Sequence, residues 1–228
     1  MSGEPKELPA ILFAGGQPLD IFTAGKILSP VFKEFQDPKV AYIGAANGDS
    51  TAFFFTVKNI LSGAGASEVA FVKLASDNAD ARAARDALAR ADIIFLSGGE
   101  VEDGINWLKK HGLFEFLKEL HRDGRQFVGI SAGAIMAGAY WVRWGVPGDD
   151  DTASLFECLG LSPKTFDTHA EDEDWIELKT ALRLLGDGSR GYGIPRGGVI
   201  AAYGDGGLVN LKKEYLTFTY ELGEYTVK

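Results

Sequence analysis

The chain has 228 residues, 46% of them hydrophobic and 24% charged, with 29 Gly, three His and a single Cys. That length suits one domain, residues 1–228, able to bury a core without staples, and the lone Cys158 excludes an internal disulfide framework or a Cys-based zinc cage. With 23 Lys+Arg against 32 Asp+Glu, a net charge of −9 and no basic run, the chain is a poor partner for DNA or RNA backbones.

The opening residues, MSGEPKELPA, lack the apolar core of a secretory signal, and residues 1–8 are expected to be a flexible lead-in. The first β-rich run is Ala10–Ala14, closed by Gly15-Gly16. Leu19, Phe22, Ile27, Leu28, Val31, Phe32 and Phe35 then follow helical spacing. A second run, Val40–Gly44, and a third, Val69–Val72, precede an Ala-rich helix over Asp80–Arg90 with Asp80 as its cap. The fourth run, Ile93–Leu96, ends in Ser97-Gly98-Gly99. Leu113, Phe116, Leu117 and Leu120 make the apolar stripe of a further helix. The fifth run, Phe127–Ile130, is followed by a segment, Ala134–Tyr140, that can continue as a helix.

These runs are continuously apolar, the mark of strands covered on both faces, as in a parallel sheet. Their alternation with helical segments predicts an α/β fold, mainly a parallel sheet flanked by helices on both faces. Towards the C-terminus, Gly198–Val209 and Tyr215–Val227 read as short strands, an antiparallel addition at the sheet edge and an edge on which a homodimer could form. No stretch approaches the roughly 18–20 apolar residues of a membrane span, so a cytoplasmic protein that works away from membranes is expected.

Gly129-Ile130-Ser131-Ala132-Gly133 fits Gly-x-Ser-x-Gly between a predicted strand and a predicted helix, the context of a nucleophile elbow. Such a turn strains the Ser and needs small neighbours, and Gly129, Ala132, Gly133 and Ala134 supply them. The Ala132 N–H, at the helix start, can face a developing oxyanion, and Gly98 or Gly99 can supply a second N–H. A Ser nucleophile needs a base. His169 is the one His after Ser131 and ends the β-like segment Phe166–His169, just before a helix through Trp175, Ile176, Leu178, Leu182 and Leu185. His111 and His121 read as solvated helix residues. The carboxylate that would orient the base is open on the residues alone: Asp149, Asp150, Asp151, Asp167 and Glu171 are candidates, whereas Asp172–Asp174 read as the acidic first turn of a helix.

In order, Ile11–Gly16, Tyr42–Ala46, Ile94–Gly99, Gly129–Ala134, Asp167-Thr168-His169 and Gly193-Ile194-Pro195 resemble the aspartyl dipeptidase (dipeptidase E)/cyanophycinase family of serine peptidases. That fold is like that of class I glutamine amidotransferases, a flavodoxin-like sandwich. The resemblance implies a hydrolase of short peptides or isopeptides that needs no cofactor or metal. Ser131 would be its nucleophile and His169 its base, with the Gly99 and Ala132 N–H groups as the oxyanion hole. Asp149, the nearest acid past the elbow helix, is the expected third catalytic member, and Gly98, Glu100 and Asp167 are expected to line the substrate. The sequence departs from the family at Arg196, where a Glu is common, and at Glu171–Asp174, where Arg is usual. An acidic rim of this kind argues against a preference for N-terminal Asp. Two other readings stay open: a binding or regulatory homologue with impaired catalysis, and an esterase-type hydrolase.

Overall fold

The computed structural model describes residues 8–15, 21–146 and 149–228. The expected flexible lead-in, apart from Leu8, the helix start at Leu19 and the second Gly of Gly15-Gly16 lie outside the described residues. The five apolar runs are five parallel strands: β1 (Ala10–Phe13), β2 (Lys39–Ile43), β3 (Glu68–Val72), β4 (Ile93–Leu96) and β5 (Gln126–Ile130). Two further strands, β10 (Val199–Ala202) and β11 (Leu208–Lys212), extend the sheet antiparallel beyond β1, giving the order β11-β10-β1-β5-β4-β2-β3.

Alternate residues of each strand enter opposite cores, which is why the runs are apolar without interruption. Ile93 and Phe95 face helices α1 (Ile21–Phe32) and α2 (Thr51–Ala64), whereas Ile94 and Leu96 face α3 (Ala81–Arg90), α4 (Val101–Lys110) and α5 (Phe114–Arg122). Asp80 caps α3 as expected, its carboxylate accepting the Ala83 N–H at 2.9 Å. Among the described residues no helix is long and apolar enough to cross a membrane.

Beyond β5 the chain departs from its predicted elements. The elbow helix, expected over Ala134–Tyr140, is the short α6 (Ala132–Met136). Gly138 lies against the Lys164 carbonyl and the Ala139 N–H donates to it, which pulls the chain off the helical path. The aromatic and β-branched run Tyr140–Trp144 instead forms β6, paired antiparallel with β7 (Ala153–Glu157). Past β8 (Thr165–Thr168), the acidic residues Glu171–Glu173 form a separate 3-10 turn. Asp174 and Trp175 both take left-handed backbone, at φ 52 and 56°, so α7 begins only at Ile176 and runs to Leu185.

The last strands, β12 (Leu216–Glu221) and β13 (Glu224–Val227), do not join the main sheet. They continue a second sheet, β13-β12-β9-β8, through β9 (Ser189–Ile194). His121, expected in solvent, is 3% exposed, set edge-on to Phe127 with Nε2 at 3.2 Å from the Leu8 carbonyl oxygen. His111 also departs from that expectation: it stacks on Trp107 and its Nε2 lies 3.0 Å from the Leu74 carbonyl oxygen.

Candidate active site

The site is built where the C-terminal ends of β1, β4 and β5 meet, the end at which open parallel sheets bind ligands. Leu12 and Leu96 flank Gly129, and the chain turns sharply one residue past Ile130. Ser131 sits in that turn at φ 53°, ψ −121°, a conformation that costs a non-glycine residue on the order of 1–3 kcal/mol. The surroundings hold it there. The Ser131 N–H donates to the Phe13 carbonyl at 2.9 Å, and its own carbonyl accepts from Ala134 and Ile135, at 2.8 and 3.1 Å. A Cβ on Gly133 would overlap the Leu96 carbonyl, and one on Gly129 would collide with the Gly133 carbonyl.

The second sheet supplies the histidine. β8 delivers His169 with φ 46°, its N–H donating to the Ile194 carbonyl of β9 at 2.9 Å. Its Nε2 then lies 2.8 Å from Ser131 Oγ. The two groups that sequence spacing singles out, 38 positions apart, are therefore in hydrogen-bond contact.

Two glycine loops close around Ser131. A Cβ at Gly98 would stand 3.3 Å from Ser131 Cβ and 3.9 Å from its Oγ. Gly99, at φ 137°, has no room for a Cβ, which would fall inside the Ala46 carbonyl, and that carbonyl accepts the Glu100 N–H at 2.7 Å. The N–H groups of Gly99 and Ala132 donate no backbone hydrogen bond among the described residues. Gly15, which in the sequence only closes a strand, is the other wall. At φ 83°, its missing Cβ would stand 3.3 Å from Ser131 Cβ and 3.8 Å from His169 Cδ2. Gly15 belongs to the Ile11–Gly16 run singled out in the sequence, but the pairing of β1 beside β5 is what sets it against Ser131.

The structure does not bring Asp149 to this pair. Its carboxylate is turned to its own loop, accepting the Asp151 N–H at 3.1 Å, and Asp150 pairs with Arg183 at 3.0 Å. Among the described residues no carboxylate is bonded to His169. Arg196 holds Asp172 through Nη2 at 2.9 Å, and its N–H donates to Glu171 Oε1 at 2.6 Å.

Asp167, two residues before His169, is 3% exposed. Its Oδ1 accepts the Thr168 N–H at 2.7 Å. Burial, and then the charge of Glu177, push its carboxyl up to about 7, against the Thr168 and Leu178 amides that hold it down. Glu177, unmarked in the sequence reading, stands in the first turn of α7 with Oε2 2.7 Å from Trp141 Nε1. Burial raises its carboxyl too, the Trp141 bond opposes that, and Glu173 and Glu100 add to the rise. Among the described residues no group of three or more His, Cys, Asp or Glu side chains could hold a metal ion.

The model of peptidase family S51 matches residues 11–208. No curated protein sequence matches the chain. Among solved structures, the fold is similar to that of a peptidase from an acI-B1 Actinobacterium, at 15% identity and a TM-score of 0.71 over 97% of this chain and 95% of the other. It is similar also to a candidate peptidase E protein from Listeria monocytogenes EGD-e, at 18% identity and a TM-score of 0.62 over 91% of this chain and 99% of the other. At such identities the likeness is one of fold.

Proposed function

The chain belongs to peptidase family S51, and from that premise we propose that it is a serine-type peptidase that hydrolyses short peptides or isopeptides through Ser131 and His169. The observation that carries the reading is the 2.8 Å contact between Ser131 Oγ and His169 Nε2 at a strained strand-to-helix turn. Oγ attacks the scissile carbonyl carbon while His169 Nε2 takes its proton. The carbonyl oxygen becomes an oxyanion beside the two N–H groups of Gly99 and Ala132, which have no other backbone acceptor. Collapse breaks the C–N bond, and the amine leaves with the proton from His169. Water then attacks the acyl carbon with His169 again as base, the acyl C–Oγ bond breaks, and Oγ takes the proton back from His169.

Ser131→Ala, assayed with wild type on a mixed dipeptide and tripeptide library by mass spectrometry, tests this. Wild type is expected to cleave a subset and the variant to lose at least about 10³-fold of that activity; equal cleavage by both sinks the assignment. A second reading has an observation of its own. No carboxylate is bonded to His169 among the described residues, and Arg196 occupies the position where the family commonly has Glu. That favours a homologue with impaired catalysis that binds peptides, and it is the better reading if a folded wild type cleaves nothing.

A further inference from the structure

His169 stands where the ladder that carries it breaks. In a parallel pair the hydrogen bonds are evenly spaced: a residue that donates its N–H to one carbonyl of the neighbouring strand accepts, through its own carbonyl, the N–H two residues further on. The β8–β9 pairing is regular up to Thr168 opposite Ile194, and the His169 N–H makes the next rung, to the Ile194 carbonyl at 2.9 Å. The rung after that would run from the Arg196 N–H to the His169 carbonyl. Among the described residues it is not made, because His169 takes left-handed backbone, φ 46°, and turns the chain out of the strand. The Arg196 N–H donates instead to the Glu171 side chain, with Oε1 at 2.6 Å. A side chain two residues past His169 thus supplies the acceptor that the turn at His169 removes.

The loop that makes this bond, Pro195–Gly198, also ties down the opposite wall. The Gly197 N–H donates to the Gly15 carbonyl at 3.2 Å, the Ala14 N–H donates to the Gly198 carbonyl at 3.0 Å, and Lys213 Nζ donates to the Arg196 carbonyl at 2.6 Å. Gly15 and His169 stand together at Ser131, since a Cβ added at Gly15 would lie 3.3 Å from Ser131 Cβ and 3.8 Å from His169 Cδ2. One loop therefore sets both. The remaining link, Arg196 Nη2 to Asp172 at 2.9 Å, joins side chains that are 40 and 81% exposed, and such pairs contribute little. We propose that Glu171 is a positioning residue: its side-chain oxygen completes the broken rung at Arg196 and so holds the His169 imidazole against Ser131. The role needs an acceptor oxygen, not a charge, and no contact with substrate. It rests on Ser131 and His169 as the reacting pair for its effect on rate, but not for its effect on where His169 stands.

Glu171→Gln keeps an acceptor oxygen and Glu171→Ala removes it. Amide hydrogen exchange at Arg196 and His169, read by NMR, tests the position without any substrate. Glu171→Ala is expected to speed exchange at both amides at least tenfold and Glu171→Gln to stay within threefold of wild type, with circular dichroism unchanged in both. The rate at which a fluorophosphonate labels Ser131, as Oγ attacks phosphorus and fluoride leaves, is expected to fall at least tenfold in Glu171→Ala and less than threefold in Glu171→Gln. On any peptide that wild type hydrolyses, the loss in Glu171→Ala is expected in kcat, with KM within twofold. Unchanged exchange at the His169 amide in Glu171→Ala, faster exchange with labelling undiminished, or a loss confined to KM overturns the proposal. A Glu171→Gln protein as impaired as Glu171→Ala overturns it too, because the charge would then be what matters. A wild type that is neither labelled at Ser131 nor active on any peptide removes the peptidase reading, and exchange at His169 then decides the positioning role by itself.

Discussion

Replacing Asp167 by Asn isolates the cost of keeping a carboxyl buried in β8. Raising that group from 3.8 to about 7 corresponds to roughly 4 kcal/mol at about 1.36 kcal/mol per pH unit. The folded chain holds the proton more tightly than the unfolded chain does, so stability falls as pH rises from about 4 to about 7 and is level above. About 2 to 3 kcal/mol of that change lies between pH 5 and pH 8, which for a chain of this length moves the unfolding midpoint by roughly 5–10 °C. Asn keeps an oxygen for the Thr168 N–H and carries no charge. Thermal unfolding followed by circular dichroism at several pH values is expected to show wild type losing stability across that interval. The variant should lose markedly less and be the more stable protein at pH 8. Parallel curves for the two proteins would refute the reasoning, because they would place the titrating group elsewhere.

Gly15→Ala is expected to lower kcat by about ten- to a hundredfold, because the added methyl meets Ser131 and His169 in a geometry where small displacements are costly. Gly112→Ala carries the same left-handed strain, φ 67°, with nothing within 4 Å of the new Cβ; it should lose about 1 kcal/mol of stability at full activity, so equal kinetics for the two variants would dissociate Gly15 from the site. Trp141→Phe removes the one side-chain bond of Glu177 found among the described residues, a bond that opposes the rise of its carboxyl, so the Glu177 carboxyl is expected to titrate higher in the variant; an unchanged titration followed by NMR would contradict this.

The sheet was legible because each strand feeds two cores. Ile93-Ile94-Phe95-Leu96 can be apolar throughout only when helices cover both faces. Helix α2 was harder to read, since Phe53-Phe54-Phe55 has the composition of a strand, yet Phe54 alone of the three is buried. Ser131 and His169 were legible because the elbow imposes small residues locally and one downstream His was left to serve it. Gly15 was not, because its contact with Ser131 and His169 comes from tertiary placement. Gly15 depends on which strand lies beside β5. The Glu177–Trp141 bond was not legible either: it depends on two left-handed residues that reset the start of α7 and on a Trp in a hairpin that the sequence read as near a helix end. Asp149 was chosen for its distance along the chain, and side-chain direction, which that distance does not encode, turned it back on its own loop.

The stretch that matches the family model ends at residue 208, but the mechanical support of His169 does not. The backbone of His169 hangs from Ile194 at the end of β9, and β9 is braced on its far side by β12, from Gly193 opposite Leu216 to Ser189 opposite Tyr220. A polypeptide cut at the family boundary would keep every residue of the Ser–His pair and leave β9 with a bare edge. The closing hairpin is thus a buttress for the imidazole, and a chain shortened there would be limited by how firmly that ring is hung rather than by any missing chemical group.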